Sequence, residues 1–254
     1  MKFNYEDLIS GEPIFVEGVG HLRSPYLREL KPTTGIGYEL YSMYLSILEW
    51  DKNAFIKLIT MGRNFDKEII EKLEQADIFD LAVLKNQGEL LRSAMAFFIV
   101  EEIEWNHDEH VYIVKTKEDA PKIVGCIDRD NFEEVRKKIL ALNYIEVKEP
   151  KKAIKHSSQK SKELWEQTQQ FLAEQKTKTA EDRRYVLGNI ISKLCAADCG
   201  YTLLNIYDLT IYQLYDQFFQ YGYLRATGIG EAMYSHWGGD KFDYMGWLNP
   251  ILEK

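Results

Sequence analysis

The sequence predicts an α+β fold in which helix predominates: an N-terminal helical domain holding a small β-hairpin plus helix, and a smaller all-helical C-terminal domain. Three observations carry this. Leu40, Tyr41, Tyr44, Leu45 and Leu48 recur at three- and four-residue steps, the spacing of one helix face. His110–Val114 and Lys122–Ile127 are β-rich runs separated by a polar turn containing Pro121, which reads as a hairpin. Ile211, Leu214, Tyr215, Phe218 and Phe219 fill a helical apolar stripe without a gap.

In chain order, residues 1–37 read as an extended, turn-rich entry, punctuated by Gly11-Glu12-Pro13, Gly18-Val19-Gly20, Ser24-Pro25 and Lys31-Pro32. A helix follows from Gly37. Asp51 is placed to cap the next one, through Phe55, Ile56 and Ile59, and Asp66 to cap another over Lys67–Gln75. Gly88 to Ile103 reads as a further helix with Leu90, Leu91, Ala94, Met95, Phe98 and Ile99 buried. After the hairpin, Asp130 is the expected cap of a helix over 131–142, with Phe132, Val135, Ile139 and Leu142 on one face.

The best boundary lies at residues 148–162, where six lysines face one acid beside Pro150 and three serines. The expected organisation is therefore an α+β domain over 1–147, a basic linker with a short helix over 148–184, and an aromatic-rich helical domain over 185–254. In the last of these, Val186, Ile190, Ile191 and Leu194 mark one helix. The next starts at Thr210 (or Asp208) as cap, with Gln213, Asp216, Gln217 and Gln220 opposite its apolar stripe.

Composition bounds the function. A net charge of −8 argues against general nucleic-acid binding, since phosphate contacts need a basic face. The longest apolar cluster, Ala94 to Val100, is too short to cross a bilayer, and the N-terminus lacks the pattern of a secretory signal. Three cysteines (Cys126, Cys195 and Cys199) suit a reducing compartment rather than a disulfide framework. The reading is a soluble intracellular protein.

Few residues nominate chemistry. His107-Asp108-Glu109-His110 has metal-ligand types, but it straddles a loop that does not fix their geometry, and it lacks the zinc-protease order. Cys195 and Cys199 have no second ligand pair or base nearby. Gly18-Val19-Gly20 lacks the third glycine and the βαβ setting of a phosphate loop. No catalytic, metal or cofactor-binding residue is therefore assigned, and the protein is expected not to be an enzyme. The aromatic C-terminus is the remaining candidate. Its stripe over 211–219 is expected to be core, while Tyr212, Tyr221, Tyr223, Trp237 and Trp247 lie outside the stripe. Tyrosine and tryptophan anchor interfaces because they bury large area at low entropic cost, so these five are the expected partner-binding residues.

Leu8-Ile9-Ser10-Gly11-Glu12-Pro13-Ile14 followed by Gly20-His21-Leu22-Arg23-Ser24-Pro25 resembles tail-region proteins of tailed phages and prophages of Gram-positive bacteria. The segments from Val124-Gly125 to Asp130-Asn131-Phe132, Gly188 to Ser192 and Leu209 to Phe218 are similar to the same group. Phage tail assembly chaperones end in comparable aromatic helices. The resemblance implies a non-enzymatic role in the host cell cytoplasm: binding the apolar helices of the tape measure protein, with self-association as a further option and no nucleic-acid or membrane partner. A structural tail or baseplate component is the alternative. A hydrolase built on His107 and His110 is the third class.

Overall fold

The computed structural model describes residues 3–61, 65–84, 86–145, 186–197 and 199–237. The fold is α+β with helix predominating. The chain divides into two units, Met1–Val147 together with Tyr207–Lys254, and Lys148–Ile206.

The first unit opens with a short helix, α1 (Tyr5–Ser10), where the sequence suggests only an extended entry. Six residues carry too little periodicity to be read as helix. Gly11 ends it at φ 75°, a left-handed conformation that glycine adopts without strain. Strands β1 (Ile14–Val16) and β2 (Gly20–Leu22) then form an antiparallel hairpin around Gly18 and Val19. A 3-10 turn (Leu27–Leu30) leads to α2 (Tyr38–Glu49), which buries Tyr41, Tyr44, Ile47 and Leu48.

Helix α3 (Lys52–Thr60) is capped as expected, the Asp51 carboxylate accepting from the Ala54 amide at 2.8 Å. Helix α4 (Lys67–Gln75) has the expected bounds, but Asp66 receives Ile69 and Ile70 through its main-chain carbonyl rather than its side chain. Helix α5 (Ile78–Ala82) is capped by Asp77.

Helix α6 (Asn86–Phe98) stops five residues before the expected end. Ile99 bridges to Leu22, and Glu102 starts a strand that apolar spacing alone had merged into the helix. The middle sheet therefore has three strands: β3 (Glu102–Asn106), β4 (Val111–Lys115) and β5 (Ile123–Ile127), all antiparallel with β4 central. The predicted hairpin is its β4–β5 half. Tyr112 and Val114 alternate inward from β4, and Phe79 packs against Tyr112 and Phe132 at centroid distances of 6.1 and 5.3 Å.

Helix α7 (Phe132–Leu142) covers this core with Phe132, Val135, Ile139 and Leu140, all fully buried; each such side chain contributes about 1.5–3 kcal/mol. Its entry is organised by Asp128 rather than Asp130, the Asp128 carboxylate accepting from the amides of Asp130 and Asn131. The buried Arg136 donates to the carbonyls of Leu48 and Trp50, satisfying carbonyls at the C-terminal end of α2 from a neighbouring helix.

The outer edge of β5 is covered by the first hairpin. The Cys126 amide donates to the Gly18 carbonyl at 2.9 Å. The approach is so close that a Cβ on Gly125 would lie 2.1 Å from that oxygen. This contact explains the glycine in a strand interior.

In the second unit, α8 (Leu187–Ala196) buries Leu187, Ile190, Ile191 and Leu194, while Val186 lies outside the helix and is exposed. The expected linker and its short helix lie outside the described residues. The chain returns to the first unit with α9 (Ile211–Trp237), the longest helix described. The sequence reading groups this helix with residues 185–206; its contacts place it with residues 1–147. Its entry is tied by main-chain bonds: Leu27 donates to Leu209, Ile211 donates to Pro25, and Tyr26 bridges Thr210.

Candidate functional site

Helix α9 is built to start at a fixed place. The Thr210 hydroxyl accepts from the Gln213 amide at 3.2 Å, and the Gln213 side chain accepts from the Thr210 amide at 2.9 Å. This reciprocal capping box satisfies two donors that would otherwise be orphaned. A third, the Tyr212 amide, donates to the Ser24 hydroxyl.

The first three turns of α9 are covered on three faces. Ile211 and Leu214 face the core and are fully buried. Tyr212, Tyr215 and Phe219 form a second row, along which the Tyr144 ring lies at centroid distances of 5.2, 5.9 and 5.3 Å. Gln213, Asp216 and Gln220 form the third, polar row, and α1 sits on it. Tyr5 donates its hydroxyl to Asp216 at 3.0 Å, and Gln213 donates to the Ile9 carbonyl at 2.9 Å.

Tyr144 holds the second row through an unusual backbone. Its φ is 61°, and its amide and that of Ile145 donate to the carbonyls of Ala141 and Leu140. This is the bond pattern of a helix C-terminus that normally employs glycine. A tyrosine there strains the chain but supplies the ring that docks α9. Burial pushes the Tyr144 and Tyr215 hydroxyls up to about 12, helped at Tyr144 by the nearby Asp216 charge and at Tyr215 by Tyr38.

Asp216 is 3% exposed, and burial raises its pKa against the lowering effect of hydrogen bonds from Tyr5, Gln220 and Gln217. Beside it the Tyr212 hydroxyl is buried without a hydrogen-bond partner among the described residues.

Past Gln220 the helix changes character. Leu224, Ile229 and Met233 are 50%, 56% and 59% exposed, against 0% for Ile211 and Leu214. Phe219, Ala226, Ile229, Gly230 and Met233 are related by separations of three, four and seven residues, which puts them on one side. Of the five expected partner-binding residues, Tyr212 is interior, packed against Tyr144. Tyr221 and Tyr223 are half-buried just past Gln220, near the middle of α9. Trp237 is the last residue of α9, with its side chain outside the description, and Trp247 lies outside the described residues. Phe219, expected in the core, is 36% exposed. The sequence reading missed Tyr5 and Tyr144. The only signal for the α1 contact was the polar row of α9, whose acid and amides need partners.

The other candidates resolve into local structure. His107 to His110 form the β3–β4 turn, where Trp105 donates to His107 and His110 contacts the His107 carbonyl. No group of three or more metal-ligand residues suited to an ion occurs among the described residues. Cys195 is half-buried and Cys199 exposed, both free. Gly18 and Gly20 turn the first hairpin. Among the described residues no helix is long and apolar enough to cross a membrane.

Residues 175–251, the segment holding α8 and α9, match the family model described as the YomV second domain. YomV is a Bacillus phage-region protein. Over that segment this chain is similar to a phage protein. No curated protein and no solved structure matches it.

Proposed function

We propose that this is a non-enzymatic phage tail assembly protein, a chaperone that binds the apolar helices of the tape measure protein in the host cell cytoplasm while the tail is built. The observation that supports this most is the division of α9. Its first turns are locked into the first unit, while its remaining turns carry Leu224, Ile229 and Met233 into solvent. Of these, Ile229 and Met233 lie four residues apart on one face, and exposed apolar side chains at that spacing mark a surface for another helix. The similarity of residues 175–251 to a phage-region protein supports the phage setting.

The mechanism is reversible shielding. An apolar partner helix laid along α9 beyond Gln220 covers Ile229 and Met233, with Tyr221 and Tyr223 at the flanks. Each apolar side chain removed from water on both partners contributes up to about 1.5–3 kcal/mol when burial is complete. Incomplete burial keeps the complex weak enough to release its cargo.

Co-expression with the tape measure protein tests the reading. The expected result is more soluble tape measure protein that co-purifies with this chain, and loss of both effects in an Ile229→Glu/Met233→Glu variant with unchanged circular dichroism. Unchanged solubility without co-purification overturns it. Recovery of the protein in purified virions would instead mark a structural tail or baseplate component.

A further inference from the structure

Helix α1 is held in a way that ordinary packing does not require. None of its residues is buried. Six residues are well below the length at which a helix is stable alone in water, about 12–15 residues, so the α9 surface must hold it folded. The attachments are polar and specific: Tyr5 Oη to Asp216 Oδ1, Gln220 Nε2 to Tyr5 Oη at 3.4 Å, and Gln213 Nε2 to the carbonyl of Ile9. The Ile9 carbonyl is one of the last in its helix, which no intrahelical amide can satisfy. Gln213 therefore reads a helix C-terminus, and Asp216 reads a tyrosine one turn earlier.

The receiving surface holds a buried polar group that its occupant leaves unpartnered. Asp216 is nearly fully buried and accepts the Tyr5 hydroxyl of α1 beside hydrogen bonds from Gln217 and Gln220 of its own helix. Tyr212, next to it, is 2% exposed and its hydroxyl is unpartnered among the described residues. Gly11, which follows α1, lies so close to the Gln213 amide that a Cβ would stand 2.8 Å from Nε2, and its φ of 75° makes a sharp exit. A polar row on α9 is thus filled by a short helix on a turn, held through three side-chain hydrogen bonds.

We propose that the row Gln213, Asp216 and Gln220 is a docking site for the C-terminal end of a partner helix carrying a tyrosine one turn before its last carbonyls, and that α1 is its displaceable internal occupant. The partner's chemistry is read from α1 itself: a tyrosine hydroxyl for Asp216, and a helix-terminal carbonyl for Gln213. A second donor or acceptor reaching the Tyr212 hydroxyl gives such a partner an interaction that α1 lacks. This site is distinct from the distal apolar surface of α9 and does not depend on the tape measure reading.

The probe is a labelled synthetic peptide of residues 3–13, titrated by fluorescence anisotropy into the full chain and into its Tyr5→Ala variant. Tyr5 is 40% exposed and no residue of α1 is fully buried, so this variant is expected to keep its fold, which circular dichroism checks. A short tether holds α1 at an effective concentration in the millimolar range. The wild-type chain is therefore expected to bind the peptide at least about ten-fold more weakly than Tyr5→Ala. A peptide with phenylalanine in place of its tyrosine should lose most of its affinity for that variant. No saturable binding to Tyr5→Ala, equal binding to both proteins, or equal binding of the two peptides would each overturn the proposal.

Discussion

Tyr144 offers the sharpest test of how α9 is held, because its backbone and its ring pull in opposite directions. At φ 61° a side chain crowds its own carbonyl, which costs about 1–2 kcal/mol relative to glycine's freedom. The ring offsets this by lying along Tyr212, Tyr215 and Phe219. A half-buried aromatic touching three others is worth about 2–3 kcal/mol, somewhat below the 3–5 of a fully buried one. Tyr144→Ala removes the ring and keeps most of the strain, so it should destabilise by that amount. Tyr144→Gly removes the same ring but relaxes the backbone. After allowing about 0.5–1 kcal/mol for glycine's greater unfolded entropy, it should be the more stable of the two by somewhat under 1 kcal/mol. That ranking inverts the usual one, and Ala141→Gly inside α7 supplies the control, with an expected loss of about 1 kcal/mol. Urea unfolding followed by circular dichroism measures all three. In both Tyr144 variants the amides of residues 212–220 should also exchange faster with deuterium. If Tyr144→Ala proves as stable as Tyr144→Gly or more so, the left-handed backbone and the reasoning built on it are refuted.

Other consequences follow from single contacts. Tyr212→Phe removes a buried hydroxyl with no partner among the described residues and should leave stability unchanged or raise it by up to about 1 kcal/mol; a clear loss by urea titration would reveal a bond to that oxygen. Gly125→Ala drives a methyl into the Gly18 carbonyl and should cost at least about 2 kcal/mol, visible as a lowered melting temperature with faster exchange at Cys126. Thr210→Ala should cost about 1 kcal/mol, and adding Gln213→Ala should cost less than the sum of the two, since both serve one capping box. Asp216 has a folded pKa raised above 3.8 by burial, so its ionisation opposes folding: the stability it permits when protonated is fully present below pH 3.8 and lost as pH rises through the raised value. Asp216→Asn should therefore gain on the wild type with rising pH across that window and level off above it; a difference flat in pH would remove the burial argument.

What the sequence made legible was local. The Asp51 cap, the bounds of α4 and the β4–β5 hairpin each rest on residues within a few positions of one another. Strand β3 escaped because Ile99 and Ile103 continue the apolar spacing of α6, and only pairing with β4 separates strand from helix there. The same limit governs the aromatic helix. Its sequence separates a stripe from its flanks, which assumes that one face is buried. The fold covers three faces of the first turns, so the flank residue Tyr212 becomes interior, and it covers less at Phe219, so a stripe residue emerges. Tyr5 and Tyr144 come from distant positions, and no spacing rule links either of them to Asp216.

The capping box gives α9 its starting point, but not its length. Thr210 and Gln213 fix where the helix begins, and Tyr144 and α1 hold its sides only as far as Gln220. From there the chain continues as helix through Gly222, Gly228 and Gly230, each of which lowers helix stability by about 0.8–1 kcal/mol relative to alanine. Exposed leucine, isoleucine and methionine among those glycines do not stabilise an isolated helix. Such a segment stays helical because its first turns nucleate it, and it gains most when another surface covers it. Anchored proximal turns and a weakly stable apolar extension together favour a partner that binds along the helix and departs without unfolding the rest.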